Sequence, residues 1–161
     1  MGVKRNHRLA ALVIAVALLA SGCAVRGLAF VADTRLEIVS PKDNETVTLP
    51  FTVTWTMDDY DGRFLVFFDR SPMRPGQNLR SLVPEGDACR TERRCPDAEW
   101  LADRNIYVAD GNRVVIETLP DRRENNRSKD RHDVTIVLLD DDDRRSGETA
   151  FTKEFIVERE D

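Results

Sequence analysis

The sequence predicts an all-β domain of seven short antiparallel strands arranged in two packed sheets. Short segments alternate apolar and polar residues with the period of a strand, and turn-forming residues separate these segments. Only residues 97–103, "DAEWLAD", have the pattern of a helical turn. Because each sheet has an apolar face to bury, seven strands within residues 35–159 favour a two-sheet sandwich.

The individual strands differ in how they are expected to be buried. The second strand, "FTVTWTM", alternates apolar residues with threonines, which is typical of a half-buried strand. The third and sixth strands, "RFLVFFD" and "HDVTIVLLD", are apolar on both faces and are expected to be central and covered. "DGN" predicts a hairpin turn between the fourth and fifth strands. The predicted strands cover residues 35–40, 51–57, 63–69, 105–109, 113–119, 132–140 and 150–158.

The aromatic residues of the second and third strands have two interpretations. Trp55, Phe64, Phe67 and Phe68 either form a platform on which a ligand stacks or fill the core. Their spacing and their apolar neighbours favour the core.

Several stretches of the domain suggest a family. "SPKDNETV" leads into "VTWT" with Trp55, "YDGRFLVFFD" forms the third strand, and "GETAFTKEFIV" has the pattern of a last hairpin. Together they resemble the immunoglobulin-like and fibronectin type III-like modules of bacterial surface proteins, over residues 35–158. The resemblance implies an Ig-like sandwich and no particular activity, because such folds host many functions. The chain departs from the pattern at His132, where such modules often have Tyr, and in its long connection at residues 70–104.

The N-terminal segment has the layout of a secretory signal peptide. A basic head, "MGVKRNHR", precedes the apolar run "LAALVIAVALLA" and the small residues "SG". The run is shorter than the roughly 20 residues that span a bilayer, although a retained signal anchor remains an alternative. Residues 1–22 are therefore predicted to be cleaved.

The end of this segment, "LLASGC" at residues 18–23, resembles the lipobox of bacterial lipoproteins. It departs from the usual pattern at Ala20, where Leu is commoner. The resemblance implies that Cys23 carries a diacylglyceryl thioether and an acylated (palmitate-type) amine, which together anchor the protein to the cell membrane or outer membrane. A free or buried Cys23 is the alternative. Residues 23–34 are predicted to form the lipidated start and a short tether.

The charge of the chain excludes one class of partner. Removal of residues 1–22 takes away three of the 24 basic residues and none of the 29 acidic ones, which leaves a formal net charge of −8. A nucleic-acid-binding domain is normally basic, so no nucleic-acid partner is expected.

The two remaining cysteines flank "CRTERRC", which permits a disulfide, a zinc site or a redox pair. If Cys23 is lipidated, Cys89 and Cys95 remain for each other, and an exported compartment favours a disulfide. Zinc lacks further ligands, because His132 is the only histidine after residue 22. A redox pair would normally have C-x-x-C spacing. The sequence therefore favours a structural Cys89–Cys95 disulfide.

The sequence contains no recognisable catalytic arrangement. His132 opens a predicted strand, and no nucleophile motif marks any serine, so a hydrogen bond at a sheet corner is its expected role. The chain is therefore predicted not to be an enzyme. An accessory subunit of an envelope enzyme, or a hydrolase with an unrecognised site, is the alternative.

The acidic turns suggest a weak metal hypothesis. Residues 58–62, 110–112 and 140–148 connect strands at what should be the same end of an up-and-down sandwich, and all contain aspartates. Clustered carboxylates are hard ligands that suit Ca²⁺, whereas the simpler interpretation is solvated acidic turns. The candidate Ca²⁺ ligands are Asp59, Asp61, Asp141 and Asp143.

The opposite end is expected to be basic and to point away from the membrane. The third and fifth connections are rich in arginine, and the disulfide loop alone holds Arg90, Arg93 and Arg94. These three residues are candidates for binding an anionic cell-wall polymer or an acidic envelope protein, with a solvated charged surface as the alternative.

These observations lead to one functional expectation. The chain is predicted to be an exported, membrane-anchored lipoprotein whose Ig-like domain serves as a non-catalytic binding or assembly module in the bacterial cell envelope. A purely structural spacer is a further alternative, and it predicts tolerance of substitutions throughout residues 70–104.

Overall fold

The computed structural model of the chain describes residues 35–122 and 130–159. The predicted signal peptide, Cys23 and the tether up to residue 34 lie outside the described residues, as do residues 123–129 of the fifth predicted connection.

The described residues form eight strands, one short α-helix and two 3-10 turns. The helix α1 covers Ala98–Ala102, and the 3-10 turns cover Leu79–Leu82 and Ala88–Arg90. The strands are β1 (Leu36–Ser40), β2 (Glu45–Thr48), β3 (Phe51–Met57), β4 (Arg63–Phe68), β5 (Ile106–Ala109), β6 (Arg113–Ile116), β7 (Asp130–Leu139) and β8 (Arg145–Glu158).

The strands form two sheets, so the all-β, two-sheet prediction is confirmed. One sheet has the order β1-β3-β6 and the other has the order β2-β8-β7-β4-β5. All neighbours are antiparallel except β2, which pairs in parallel with the last four residues of β8. The predicted count of seven strands was wrong, because β2 was missed. Its sequence, "ETVT", has one apolar residue, Val47, so there is no alternation to detect.

The main core lies between the two sheets. Trp55 of β3 packs edge-on against Phe64 of β4, with ring centroids 5.2 Å apart. Phe68 and Phe155 continue the cluster, with centroids 6.2 Å apart. Each fully buried large side chain stabilises the fold by about 1.5–3 kcal/mol relative to leaving it in water. The core interpretation of the aromatic residues is confirmed.

A second core lies on the outer face of the five-stranded sheet. Leu65 and Phe67 of β4 and Val137 and Leu139 of β7 point away from the first core and are buried. Both strands are therefore covered on both faces, as their unbroken apolar sequences predicted.

Residues 69–105, which connect β4 to β5, supply that cover; we call them the excursion. Met73 and Leu101 of the excursion are buried against the outer face. The excursion also pairs with the start of β8, since Gly76 N donates to Arg145 O over 2.9 Å and Arg145 N donates to Gln77 O over 2.8 Å. The buried Arg145 guanidinium donates to the carbonyl of Met73 over 2.6 Å. The excursion is thus a packed layer rather than a loose loop.

Gly62, immediately before β4, is required by a close approach. The Tyr60 hydroxyl donates a hydrogen bond to the carbonyl of Leu139, and the ring lies across Gly62. A Cβ atom at position 62 would lie 2.5 Å from Tyr60 Cζ and 2.7 Å from Leu139 O.

We therefore expect Gly62→Ala to lower the free energy of unfolding by about 1–3 kcal/mol, the usual effect of overpacking. Gly111→Ala is the matched control, because a Cβ atom there meets nothing within 4 Å. Urea unfolding of both variants measures the difference. Equal midpoints for Gly62→Ala and the parent would contradict this account of the turn.

Candidate functional site

Three connections converge at one end of the two sheets, as the sequence predicted. Residues 58–62, 110–112 and 140–144 join β3 to β4, β5 to β6 and β7 to β8. The predicted hairpin at residues 110–112 was wrong, because β5 and β6 belong to different sheets and do not pair. Tyr60 bridges two of the connections through its bond to Leu139, and a depression of about 370 Å³ is lined by residues of the first two, including Asp61 and Asp110. Burial, and then the negative charges of Asp140 and Asp141, raise the pKa of the Tyr60 hydroxyl.

These acidic turns do not assemble into a calcium site. Asp143 forms an ion pair with Arg63, and Asp140 Oδ1 accepts hydrogen bonds from the backbone N–H groups of Asp142 and Arg144. Within residues 35–122 and 130–159, no group of three or more His, Cys, Asp or Glu side chains is placed to hold a metal ion. The candidate set Asp59, Asp61, Asp141 and Asp143 is therefore not a ligand shell in this structure.

The expected separation of an acidic end from a basic end was wrong. Arg93 and Arg94 line one depression together with Asp142 and Asp143 of the β7–β8 turn. The prediction placed the arginines of residues 70–104 at the opposite end because it treated this segment as a loop that begins and ends there. Instead the excursion runs back along the outer face of the sheet, and Leu79 N donates to Asp143 O over 3.2 Å.

The disulfide loop is a rigid part of the excursion. Cys89 and Cys95 are bonded, with their Cα atoms 5.1 Å apart, and both side chains are buried beside Val83 and Trp100. The prediction of a disulfide is confirmed. Asp87 supports the loop from outside, because its carboxylate accepts from Cys89 N at 2.9 Å and pairs with the Arg104 guanidinium at 3.2 Å. The Arg104 guanidinium in turn lies 3.8 Å from the centroid of the Trp100 ring.

Arg80 holds the disulfide loop from within the excursion. Its guanidinium donates to the carbonyls of Arg90, Glu92 and Arg93 over 3.3, 3.1 and 3.4 Å. Sequence reasoning noted Arg80 only as one of many basic residues. No local pattern relates it to a loop ten residues away, so this role emerges only from the folded chain.

The remaining arginines of the loop are exposed. Arg90 Nε donates to the carbonyl of Val83 over 3.3 Å. In the described part of the chain, the side chains of Arg93 and Arg94 have no hydrogen bond or ion pair. Two shallow depressions of about 270 Å³ each meet at Asn78 and Arg80, one extending to Arg90 and the other to Arg93 and Arg94. We call Arg80, Arg90, Arg93 and Arg94 the arginine surface.

A second constellation surrounds a buried histidine at the opposite end of the sheets. The His132 side chain is fully buried, with Nδ1 2.7 Å from Asp69 Oδ2 and Nε2 3.0 Å from Asp130 Oδ1. The first contact is a hydrogen bond, whereas the second has ion-pair distance without hydrogen-bond alignment. Arg122 pairs with Asp69 over 2.7 Å and Arg159 pairs with Asp130 over 2.6 Å. We call these five residues the buried charge network.

The network fixes the charge of its members. Burial alone lowers the pKa of His132, but the hydrogen bond to Asp69 and the close carboxylates of Asp69 and Asp130 outweigh burial and raise it. Burial alone raises the pKa of each carboxyl, but hydrogen bonds outweigh it and lower the pKa of both Asp69 and Asp130. The imidazolium and the two carboxylates therefore stabilise one another.

This arrangement leaves His132 without a free nitrogen. Both ring nitrogens face carboxylates, so neither has a lone pair available to take a proton from a serine or a water molecule. The expected role of His132, a hydrogen bond at a sheet corner, agrees with this geometry. The partners Asp69 and Asp130 were not foreseen.

No family model, curated protein or solved structure matches the chain. Within the described ranges, no helix has the length and apolar character needed to cross a membrane.

The buried charge network predicts a specific pH dependence of stability. Because the folded-state pKa of His132 is raised, His132 contributes fully to the free energy of unfolding below pH 6.5, its ordinary pKa. This contribution is lost as the pH rises through the raised pKa. Because the pKa values of Asp69 and Asp130 are lowered, both residues contribute fully to the free energy of unfolding above pH 3.8, their ordinary pKa. These contributions are lost as the pH falls through the lowered pKa values.

We expect Asp69→Asn to lower the free energy of unfolding by about 3 kcal/mol near pH 5, the scale for breaking a buried ion pair, and by less near pH 9. Asn tolerates the left-handed backbone at this position (φ 57°), so the effect isolates the charge. Asp110→Asn, on an exposed turn, is the control and should change little at either pH. Urea unfolding at the two pH values measures the effect, and a loss that is the same at both would refute the network's role.

Proposed function

We propose that the chain is a lipid-anchored lipoprotein of the bacterial cell envelope whose Ig-like, fibronectin type III-like domain is a non-catalytic binding or assembly module. Strand order supports the Ig-like part of the proposal. With β2 set aside, the first, second and fifth strands share one sheet and the third, sixth and seventh share the other, as in Ig domains. The fourth strand, β5, lies beside the third, in the manner of a C′ strand.

The observation that carries the binding function is the construction of the excursion. Residues 69–105 are far longer than the connection that two adjacent antiparallel strands need. They are fixed to the sheet by an apolar layer and by pairing with β8, and they are braced internally by a disulfide and by Arg80. The apolar layer would be needed to cover the sheet whatever the function, whereas the internal bracing by the disulfide and Arg80 goes beyond that cover and suits a surface that must keep its shape for a partner.

The hydrolase alternative finds less support. His132 is the only described histidine, and its ring nitrogens both face carboxylates. The depression nearest to it, lined by Ser71, Asp69 and Asp133, is shallow and contains no nucleophile paired with a base among the described residues.

Lipidation is tested by labelling. When the full chain is expressed in a bacterial host with radiolabelled palmitate, we expect the label on the chain and the chain in the membrane fraction. Cys23→Ser should lose both, because it removes the thiol that would be acylated. The matched control is Cys89→Ser/Cys95→Ser, which should keep the label. A Cys23→Ser chain that is still labelled would overturn the proposed anchor.

Binding is tested in the native envelope by site-specific cross-linking. We expect a photoreactive residue at Ser81, which is exposed in one of the two depressions, to give a defined adduct with an envelope component. The control position is Thr56, which is exposed on the outer side of the three-stranded sheet. The proposed binding role of the excursion fails if Ser81 gives no adduct, or if Ser81 and Thr56 give the same adducts.

A further inference from the structure

We infer that the arginine surface binds an anionic polymer of the cell envelope, one that carries a phosphate or a carboxylate on successive units. This inference rests on the proposed binding function and names the site and the chemistry of its ligand.

The first argument is uncompensated charge. Arg80 and Arg90 donate only to backbone carbonyls, and Arg93 and Arg94 have no polar partner among the described residues. Of the two carboxylates in the same depression, that of Asp143 is already neutralised by Arg63. Three arginines therefore line this depression with one unpaired carboxylate, that of Asp142, and Arg90 lines the adjoining depression, whose lining contains no carboxylate. This local excess of positive charge occurs on a chain whose formal net charge is −5.

Nearby acidic residues do not remove this excess. The alternative of a solvated charged surface depends on acidic residues interleaved with the arginines, which include Asp87 and Asp97. Asp87 pairs with Arg104 and Asp97 accepts from the backbone of Trp100, which leaves Glu85 and Glu92 in this segment. In the described structure, neither side chain forms an ion pair with an arginine of this surface. Glu85 and Glu92 are therefore close to these arginines in sequence but do not neutralise them in the folded chain.

The second argument is preorganisation. The disulfide, the three carbonyl bonds of Arg80 and the Asp87–Arg104 pair fix the backbone that carries Arg90, Arg93 and Arg94. A ligand then orders only the ends of the side chains, so less conformational entropy is lost on binding. Guanidinium groups on a fixed frame suit phosphate and carboxylate groups, with which they form paired, charge-assisted hydrogen bonds.

The third argument decides between a polymer and a protein. Stable protein interfaces need an apolar or aromatic centre that excludes water. The large apolar side chains exposed in the described structure are Val39 and Val115, and both belong to the three-stranded sheet rather than to the excursion. Val83, Cys89 and Cys95, which adjoin the arginine surface, are buried among themselves. Leu79 lines one of the depressions but is partly buried, so the surface has charge and no exposed large apolar side chain, which fits a flexible polyanion better.

The test is a binding titration with the full chain purified in detergent. Inorganic polyphosphate and polygalacturonate serve as the phosphate and carboxylate probes, and calorimetry is done at about 50 mM and 300 mM salt. We expect binding to at least one probe, weakening with salt because screening shortens the reach of the charges. Binding to polyphosphate alone, to polygalacturonate alone or to both supports the inference and identifies the anion.

Variants locate the site. Arg93→Ser/Arg94→Ser should weaken binding at least tenfold. Arg74→Ser/Arg113→Ser should not, although it removes the same charge from two exposed arginines whose side chains have no polar partner among the described residues. Cys89→Ser/Cys95→Ser, which leaves the charge unchanged, should also weaken binding by freeing the loop. Thermal midpoints confirm that the arginine variants are folded.

Two results would overturn the inference: no binding to either probe at low salt, or equal losses for the two arginine pairs. Cross-linking at Ser81 then shows whether only the polymer inference fails or whether the proposed binding function fails as well. A protein adduct would support the proposed binding function, with a protein rather than a polymer as the partner. The absence of any adduct would remove the proposed binding function as well.

Discussion

The central strands β4 and β7 have apolar side chains on both faces, so the five-stranded sheet cannot present either face to water. The three-stranded sheet covers one face through Trp55 and its neighbours. The other face needs a second cover, and within the described residues the excursion provides it through Met73 and Leu101. The length of the excursion thus has a physical cause before any function is considered, because a short hairpin would leave Leu65 and Phe67 exposed.

This constraint also determines where the charged groups lie. An excursion that must cover the sheet has to run along it, and this path brings the disulfide loop to the β7–β8 turn. The polar groups that cannot enter the apolar layer then form its outer surface, with Arg80 and the disulfide limiting the conformations of the loop. The arginine surface is therefore the solvent side of a layer whose inner side is part of the core.

The parts of this fold that could be predicted are those encoded by local periodicity. The alternation in "FTVTWTM" and the double-sided apolar runs of β4 and β7 are properties of neighbouring residues, and both predictions hold. β2 escaped prediction because it depends on backbone pairing with β8 rather than on its own side chains. The disulfide followed from the number of cysteines and from the compartment inferred from the N-terminal segment.

The parts that could not be predicted depend on contacts between distant residues. Asp69 and His132 are 63 positions apart, and their pairing requires the end of β4 to lie beside the start of β7. The path of the excursion depends on apolar residues scattered without a period among prolines and charges. For that reason the basic and acidic connections were assigned to opposite ends, although the excursion brings two of the arginines to the acidic turns.

The position of Arg80 has a consequence for when the arginine surface reaches its final conformation. The carbonyls that accept its hydrogen bonds lie between Cys89 and Cys95, so closing the ring limits their positions. A reduced chain would have the same arginines on an open and more variable loop. If the chain is exported as proposed, oxidation would order the loop without changing the charge of its arginines. The arginine surface would then be completed only after the chain has left the reducing compartment where it was made.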